Sequence, residues 1–134
     1  MNTIQIENNN PSIILTTGIY DLLKEQIRKR KLTRYNEEKL EKELKNATQV
    51  LNRELPDHVV TVNKLVTVTD LESGEDLTYK LVAPEKARRK HNTTSILSPI
   101  GLAMVGYAEG SEVNWNMPEG NKRYRISKVD NLIP

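Results

Sequence analysis

With 134 residues, 20 basic and 18 acidic side chains, the chain suits one domain or a domain with an appendage, and a net charge of +2 does not announce a nucleic-acid binder. The absence of cysteine excludes a disulfide scaffold and any thiolate nucleophile or metal ligand, and two histidines, His58 and His91, cannot form a zinc site alone. No apolar run approaches the ~20 residues that span a bilayer, and the N-terminus lacks a basic region followed by an apolar core, so the cytoplasm is the expected compartment and no membrane is expected as a partner.

Residues 1–16 are expected as a polar tail, frayed around Asn8-Asn9-Asn10-Pro11. A first helix is expected over 17–31, capped by Thr16 or Thr17, with Ile19, Leu22, Leu23 and Ile27 on one stripe. Residues 32–36 break that pattern, and Asn36 is expected to cap a second helix. In it, Leu40, Leu44, Ala47 and Leu51 recur at the spacing of a helix–helix seam, with Glu38–Lys42 and Glu41–Lys45 as i,i+4 pairs. Residues 17–54 are thus expected as a coiled-coil-like antiparallel hairpin with arms of about 20–25 Å.

The chain changes character at Pro56. Beyond it, apolar residues alternate with period two. Val60, Val62, Val66 and Val68 share one parity, interrupted by Lys64. Leu71-Glu72-Ser73-Gly74-Glu75 reads as a hairpin loop, followed by Leu77, Tyr79 and Leu81 on the returning strand. Ile96 and Leu97 close an apolar strand. Ser98 is a helix N-cap, Pro99 occupies the first helical position, and Ile100, Ala103 and Met104 form a short stripe that Gly106 ends. Val113, Trp115 and Met117 then alternate toward the core and pair, through a Pro118-Glu119-Gly120 turn, with Tyr124 and Ile126. The expected fold class is α+β: a short N-terminal antiparallel helical hairpin, then an antiparallel sheet domain with one short helix over about 57–130.

The string from Ser95 to Gly120 resembles the C-terminal domain of the bacterial Gre transcript-cleavage factors, in its Ser-Pro-hydrophobic-Gly helix, Gly-acidic turn and Pro-x-Gly hairpin. The likeness extends to Val59-Val60-Thr61-Val62-Asn63 as the opening of the first strand, Asp70 to Asp76 as the first hairpin turn, and Leu81-Val82 with Pro84. The short branch of the family, the regulator of nucleoside diphosphate kinase, is the closer match. The resemblance implies an FKBP-like sheet domain that docks on the rim of the secondary channel of RNA polymerase. It implies no cofactor, no small-molecule substrate and no chemistry performed by the chain alone.

Gre factors carry two carboxylates at the tip of a long helical finger, where they help hold a metal ion at the polymerase centre; a hard divalent cation wants converging oxygen ligands. Here the tip is basic: Arg28, Lys29, Arg30, Lys31 and Arg34. Glu37 and Glu38 are adjacent and point about 100° apart on a helix. They read as acidic residues in a first helical turn or, with Glu41, as metal ligands of a cleavage-stimulating factor. The expected function is therefore a polymerase-binding transcription regulator without transcript-cleavage activity, and not an enzyme. The alternatives are a Gre-type cleavage factor and, on fold analogy, an FKBP-like prolyl isomerase, for which the chain has no phenylalanine and one tryptophan. Expected partner-binding residues are Arg28, Lys29, Arg30, Lys31 and Arg34 at the tip and Ser98, Pro99 and Ile100 in the sheet domain. The tip is a candidate for polymerase, RNA or DNA contact. A second basic cluster, Lys86, Arg88, Arg89, Lys90 and His91, reads as a solvated turn or a phosphate contact.

Overall fold

The computed structural model describes residues 12–132. The expected fraying at Asn8 to Pro11 lies outside the described residues. Strand β1 (Ile14–Thr16) runs directly into helix α1 (Thr17–Arg28), and Thr16 caps that helix by accepting a hydrogen bond from Ile19 N–H at 3.4 Å. Helix α2 (Arg34–Asn46) returns, and strand β2 (Thr48–Val50) pairs in parallel with β1. Strands β3 (Lys64–Asp70), β4 (Asp76–Val82), β5 (Thr93–Ser95), β6 (Glu112–Met117) and β7 (Gly120–Asn131) form one sheet in the order β5-β4-β3-β7-β6. The short helix α3 (Pro99–Met104) joins β5 to β6.

Several local expectations are corrected. The tail does not extend through residue 16, because Ile13 and Leu15 are buried and Ile14 N–H bonds the carbonyl of Gly106 at 3.0 Å. Helix α1 stops at Arg28, where Arg30 turns into the left-handed region at φ 56°. Helix α2 is capped by Thr33, which accepts from Asn36 N–H at 3.2 Å, and not by Asn36. It ends at Asn46, and the chain beyond becomes extended because β1 offers a ladder to Thr48–Val50. Leu51 is consequently off the seam and half exposed. The ion pairs on α2 are Arg34–Glu38 and Lys39–Glu43, in place of Glu38–Lys42 and Glu41–Lys45.

In the sheet, residues 59–63 do not open a strand. Asn63 is left-handed at φ 64°, and β3 begins after it. Lys64 shares the buried face with Val66 and Val68. Its ammonium is satisfied there by the Asp57 carbonyl and Asn131 Oδ1, both at 2.7 Å. Strand β5 pairs with β4 in parallel, so the sheet is mostly rather than wholly antiparallel. Tyr124 faces Val113 as expected, whereas Ile126 pairs with Val68 of β3. The inner faces of β3, β6 and β7, helix α3, and Leu23, Leu40 and Leu44 of the helical arm share one core. Trp115 lies within it at 1% exposure.

Gly101 lets α3 approach the preceding strand. A Cβ there would sit 2.4 Å from the carbonyl oxygen of Ile96. The Ser-Pro-hydrophobic-Gly pattern is therefore a packing device: Ser98 accepts from Gly101 N–H at 3.2 Å, proline starts the helix, and glycine removes the side chain that would collide.

Candidate partner-binding surface

Two features place the tip of the helical arm. Asn36, buried at 3% exposure, donates its Nδ2 to the Asn116 carbonyl at 2.8 Å and accepts from Asn116 N–H at 2.9 Å. One turn and two turns further along α2, Lys39 and Glu43 pair, and the Tyr107 hydroxyl donates to the same Glu43 carboxylate. The Lys39 ammonium lies 5.3 Å from the Tyr107 ring centroid and 5.5 Å from that of Trp115. Burial, reinforced by the negative Glu43, pushes the Tyr107 hydroxyl well above the ordinary tyrosine range, so it remains a donor. The arm is thus fastened along the sheet domain at both ends of α2. With 12 and 13 residues, the two helices are about 18 and 20 Å long.

At the tip, the five predicted cations are not equivalent. Arg28 pairs with Glu25 at 2.9 Å, Arg30 with Glu37 at 3.1 Å, and Arg34 with Glu38 at 3.1 Å. Lys29 and Lys31 form no ion pair among the described residues, and both are exposed. Tyr35, at the start of α2, is also exposed. Glu37 and Glu38 are each engaged by an arginine, and no group of three or more metal-ligating residues occurs among the described residues. Glu41 stands exposed on the next turn without joining them.

In the sheet domain, Ser98 is half-buried and occupied as a helix cap, Pro99 is exposed, and Ile100 is a core residue at 5% exposure. Of the three sequence-predicted residues there, only Pro99 presents an open surface; Ile100 anchors α3 from beneath. The sequence reading missed Asn36 as a tie to β6 and the Lys39–Glu43–Tyr107 cluster. The Lys39–Glu43 spacing was the available signal, but several i,i+4 pairs on α2 compete for it and only the strand opposite decides among them.

A family model for the C-terminal domain of the transcription elongation factors GreA/GreB matches residues 55–131. Transcription elongation factor GreA of Clostridium acetobutylicum is 34% identical over 90 residues, which is 67% of this chain and 57% of that protein. GreA of Clostridium botulinum strain Hall is 35% identical over 91 residues, 68% of this chain and 57% of that protein. The chain therefore spans little more than half the length of these curated relatives. The solved structure of a prokaryotic transcription elongation factor GreA/GreB from Nitrosomonas europaea superposes with a TM-score of 0.63 at 32% identity, covering 90% of this chain and 98% of that one. No described helix is long and apolar enough to cross a membrane. The chain belongs to the GreA/GreB family of bacterial transcription elongation factors.

Proposed function

We propose that the protein is a transcription regulator of the cytoplasm that binds RNA polymerase at the rim of its secondary channel and does not stimulate transcript cleavage. Family membership supports the polymerase as partner. The observation that carries the second half is the state of the tip carboxylates. Glu37 and Glu38 are each held by a local arginine, and nothing at the tip aligns two free oxygens toward one ion. The shortness of the arms points the same way, since helices of about 20 Å reach a channel mouth rather than a distant centre. On this reading the sheet domain anchors and the arm, fastened to it through Asn36 and Glu43, obstructs by occupancy. The protein is then a binding module and not an enzyme. It requires no cofactor and no small-molecule substrate.

The test uses a backtracked elongation complex with the cognate polymerase and follows the RNA 3′ end. We expect no shortening of the RNA together with competition against a cleavage-active Gre factor. Shortened RNA would establish the cleavage-factor reading instead. Absence of both binding and competition would remove polymerase as the partner.

A further inference from the structure

The second basic cluster is not a loose turn. Residues 84–86 and 89–91 form two 3₁₀ turns, and the segment is closed by Thr93, whose hydroxyl accepts from Arg88 N–H at 2.7 Å. Arg88 directs Nη1 of its guanidinium to the carbonyls of Glu85 and Ala87, both at 2.9 Å, and so stiffens the loop. Asn92 turns the chain in the left-handed region at φ 58° and delivers it into β5. The result places Arg89 over the outer face of the sheet, in a shallow hollow with Lys80 and Thr78 of β4 and Thr93 and Thr94 of β5. Lys80 and Thr93 are cross-strand partners in the parallel ladder, so they sit side by side.

Lys80, Lys86, Arg89 and Lys90 are all exposed and form no ion pair among the described residues. At the tip, by contrast, three of five cations are neutralised. Four exposed cations without an ion-pair partner thus gather at the β4–β5 edge of the sheet, at the opposite end of the strand order from β6, where the arm is tied.

The geometry points to this hollow as a binding site for the phosphodiester backbone of a nucleic acid, with Lys80 and Arg89 taking phosphate oxygens and the threonine hydroxyls supplying neutral donors. Acidic protein is the competing class. Protein interfaces take their energy from buried aromatic or aliphatic anchors, whereas backbone-phosphate binding needs only cations and small donors. Among the described residues the large exposed hydrophobics, Tyr35 and Leu51, both lie outside the hollow, which is lined by threonines, Asn92, the two cations, Leu65 and Tyr79, the last of these on the strand face that packs against the core. No aromatic platform stands exposed there, so the binding is sequence-independent and not a stacking mode.

The experiment is fluorescence anisotropy at low salt with a labelled 20-mer, in one arm duplex DNA and in the other single-stranded RNA, using the full chain. The expected result is salt-dependent binding that falls at least tenfold in Lys80→Ala/Arg89→Ala, with the log–log salt slope reduced by about 2, near 0.9 for each phosphate no longer neutralised. Lys29→Ala/Lys31→Ala, which removes the two free tip cations, is expected to change binding less than threefold. The stronger arm identifies the nucleic acid. Lys80→Gln/Arg89→Gln retains the side-chain stems and serves if the alanine variant does not fold. The proposal is overturned by absent binding, by a loss in the tip variant equal to that of the hollow variant, or by polyglutamate displacing the probe as well as unlabelled DNA does.

Discussion

The side chain of Asn36 and the backbone of Asn116 form a closed pair of hydrogen bonds, 2.8 and 2.9 Å, across 80 residues of sequence. The amide imitates the next strand on the open edge of β6 and so caps an edge that would otherwise be free to pair with another chain. Asn36→Ala should destabilise the protein by about 1–3 kcal/mol, because the substitution removes two bonds at a largely buried position. Asn36→Asp keeps the acceptor but sets a buried carboxylate oxygen against the Asn116 carbonyl, and should cost at least as much as alanine at pH 7. Urea unfolding of the three proteins measures this, and an alanine variant as stable as the parent would show that the tie carries no energy.

Gly101 gives a prediction in which two effects oppose each other. Alanine is a better helix former than glycine by about 0.5–1 kcal/mol. Yet the new Cβ would lie 2.4 Å from the Ile96 oxygen and 2.7 Å from its carbonyl carbon, both backbone atoms that cannot swing aside. The collision should win, and Gly101→Ala should lose about 2 kcal/mol or more. A gain in thermal midpoint would mean that α3 lies farther from β5 than the structure places it.

What the sequence made legible follows from the range of the interactions involved. The α3 segment was readable to the residue, because Ser98, Pro99 and Gly106 act on their own backbone within one turn. The inward parity of Val66, Val68, Val113 and Trp115 was readable because strand alternation is local. The β1–β2 pairing was not, since it joins residues more than 30 apart, and Ile13 and Leu15 are buried against Gly106 and the core far along the chain. The same holds for Asn36, whose side chain reads as a cap in isolation but is recruited to Asn116, leaving Thr33 to cap the helix. The uneven pairing of the tip cations was hidden for a related reason. Which arginine meets which carboxylate depends on the turn at Arg30, a non-glycine residue in a left-handed conformation.

The tip itself gives a functional prediction. Replacing Arg28, Lys29, Arg30 and Lys31 by alanine should weaken regulation of polymerase more than it weakens the fold. The side chains of Arg28 and Arg30 are more than 70% exposed, and exposed ion pairs contribute about 0.2–1 kcal/mol each. Within the set, Lys29 and Lys31 should account for most of the functional loss, since they need not surrender an existing partner to meet a new one. The check is a transcription assay run beside a thermal melt. An unfolded quadruple variant would show the tip to be packed.

Asp70 sets an acid limit on the sheet domain. Its carboxylate accepts from Glu72 N–H at 2.9 Å and Ser73 N–H at 3.3 Å, with Lys122 at 3.5 Å. The bond from Glu72 is the largest influence holding its pKa below the ordinary 3.8, and burial works against it. A carboxyl with a depressed folded pKa contributes stability that is present above the unfolded value and is lost as pH falls through the folded one. The parent should therefore lose stability below about pH 4 more steeply than Asp70→Asn, which lacks the titrating group and should be less stable at pH 7. Parallel stability curves for the two proteins between pH 3 and 7 would show that Asp70 sets no such limit.

The Lys39–Glu43–Tyr107 cluster makes a prediction at the other end of the pH scale. Burial and the Glu43 charge raise the Tyr107 pKa, and Tyr124 is raised to about 12 by burial first and by Tyr79 second. A group with a raised folded pKa contributes stability that is complete below its unfolded value, near 10 for tyrosine, and lost as pH climbs toward the folded one. Tyrosinate absorbance should thus show Tyr107 and Tyr124 protonated at pH 11 while the chain remains folded. Removing partners separates the contributions. Tyr107→Phe deletes one donor but leaves Glu43 paired with Lys39, and should cost about 1 kcal/mol. Glu43→Ala removes the shared partner of the ammonium and the hydroxyl, which line an open groove, and should cost about 2 kcal/mol. The double variant should cost less than the sum of the two singles, because Glu43→Ala already removes the bond that Tyr107→Phe deletes. Strict additivity in that cycle would mean that Tyr107 and Glu43 do not interact in solution, and that helix α2 is not clamped to the sheet at this point.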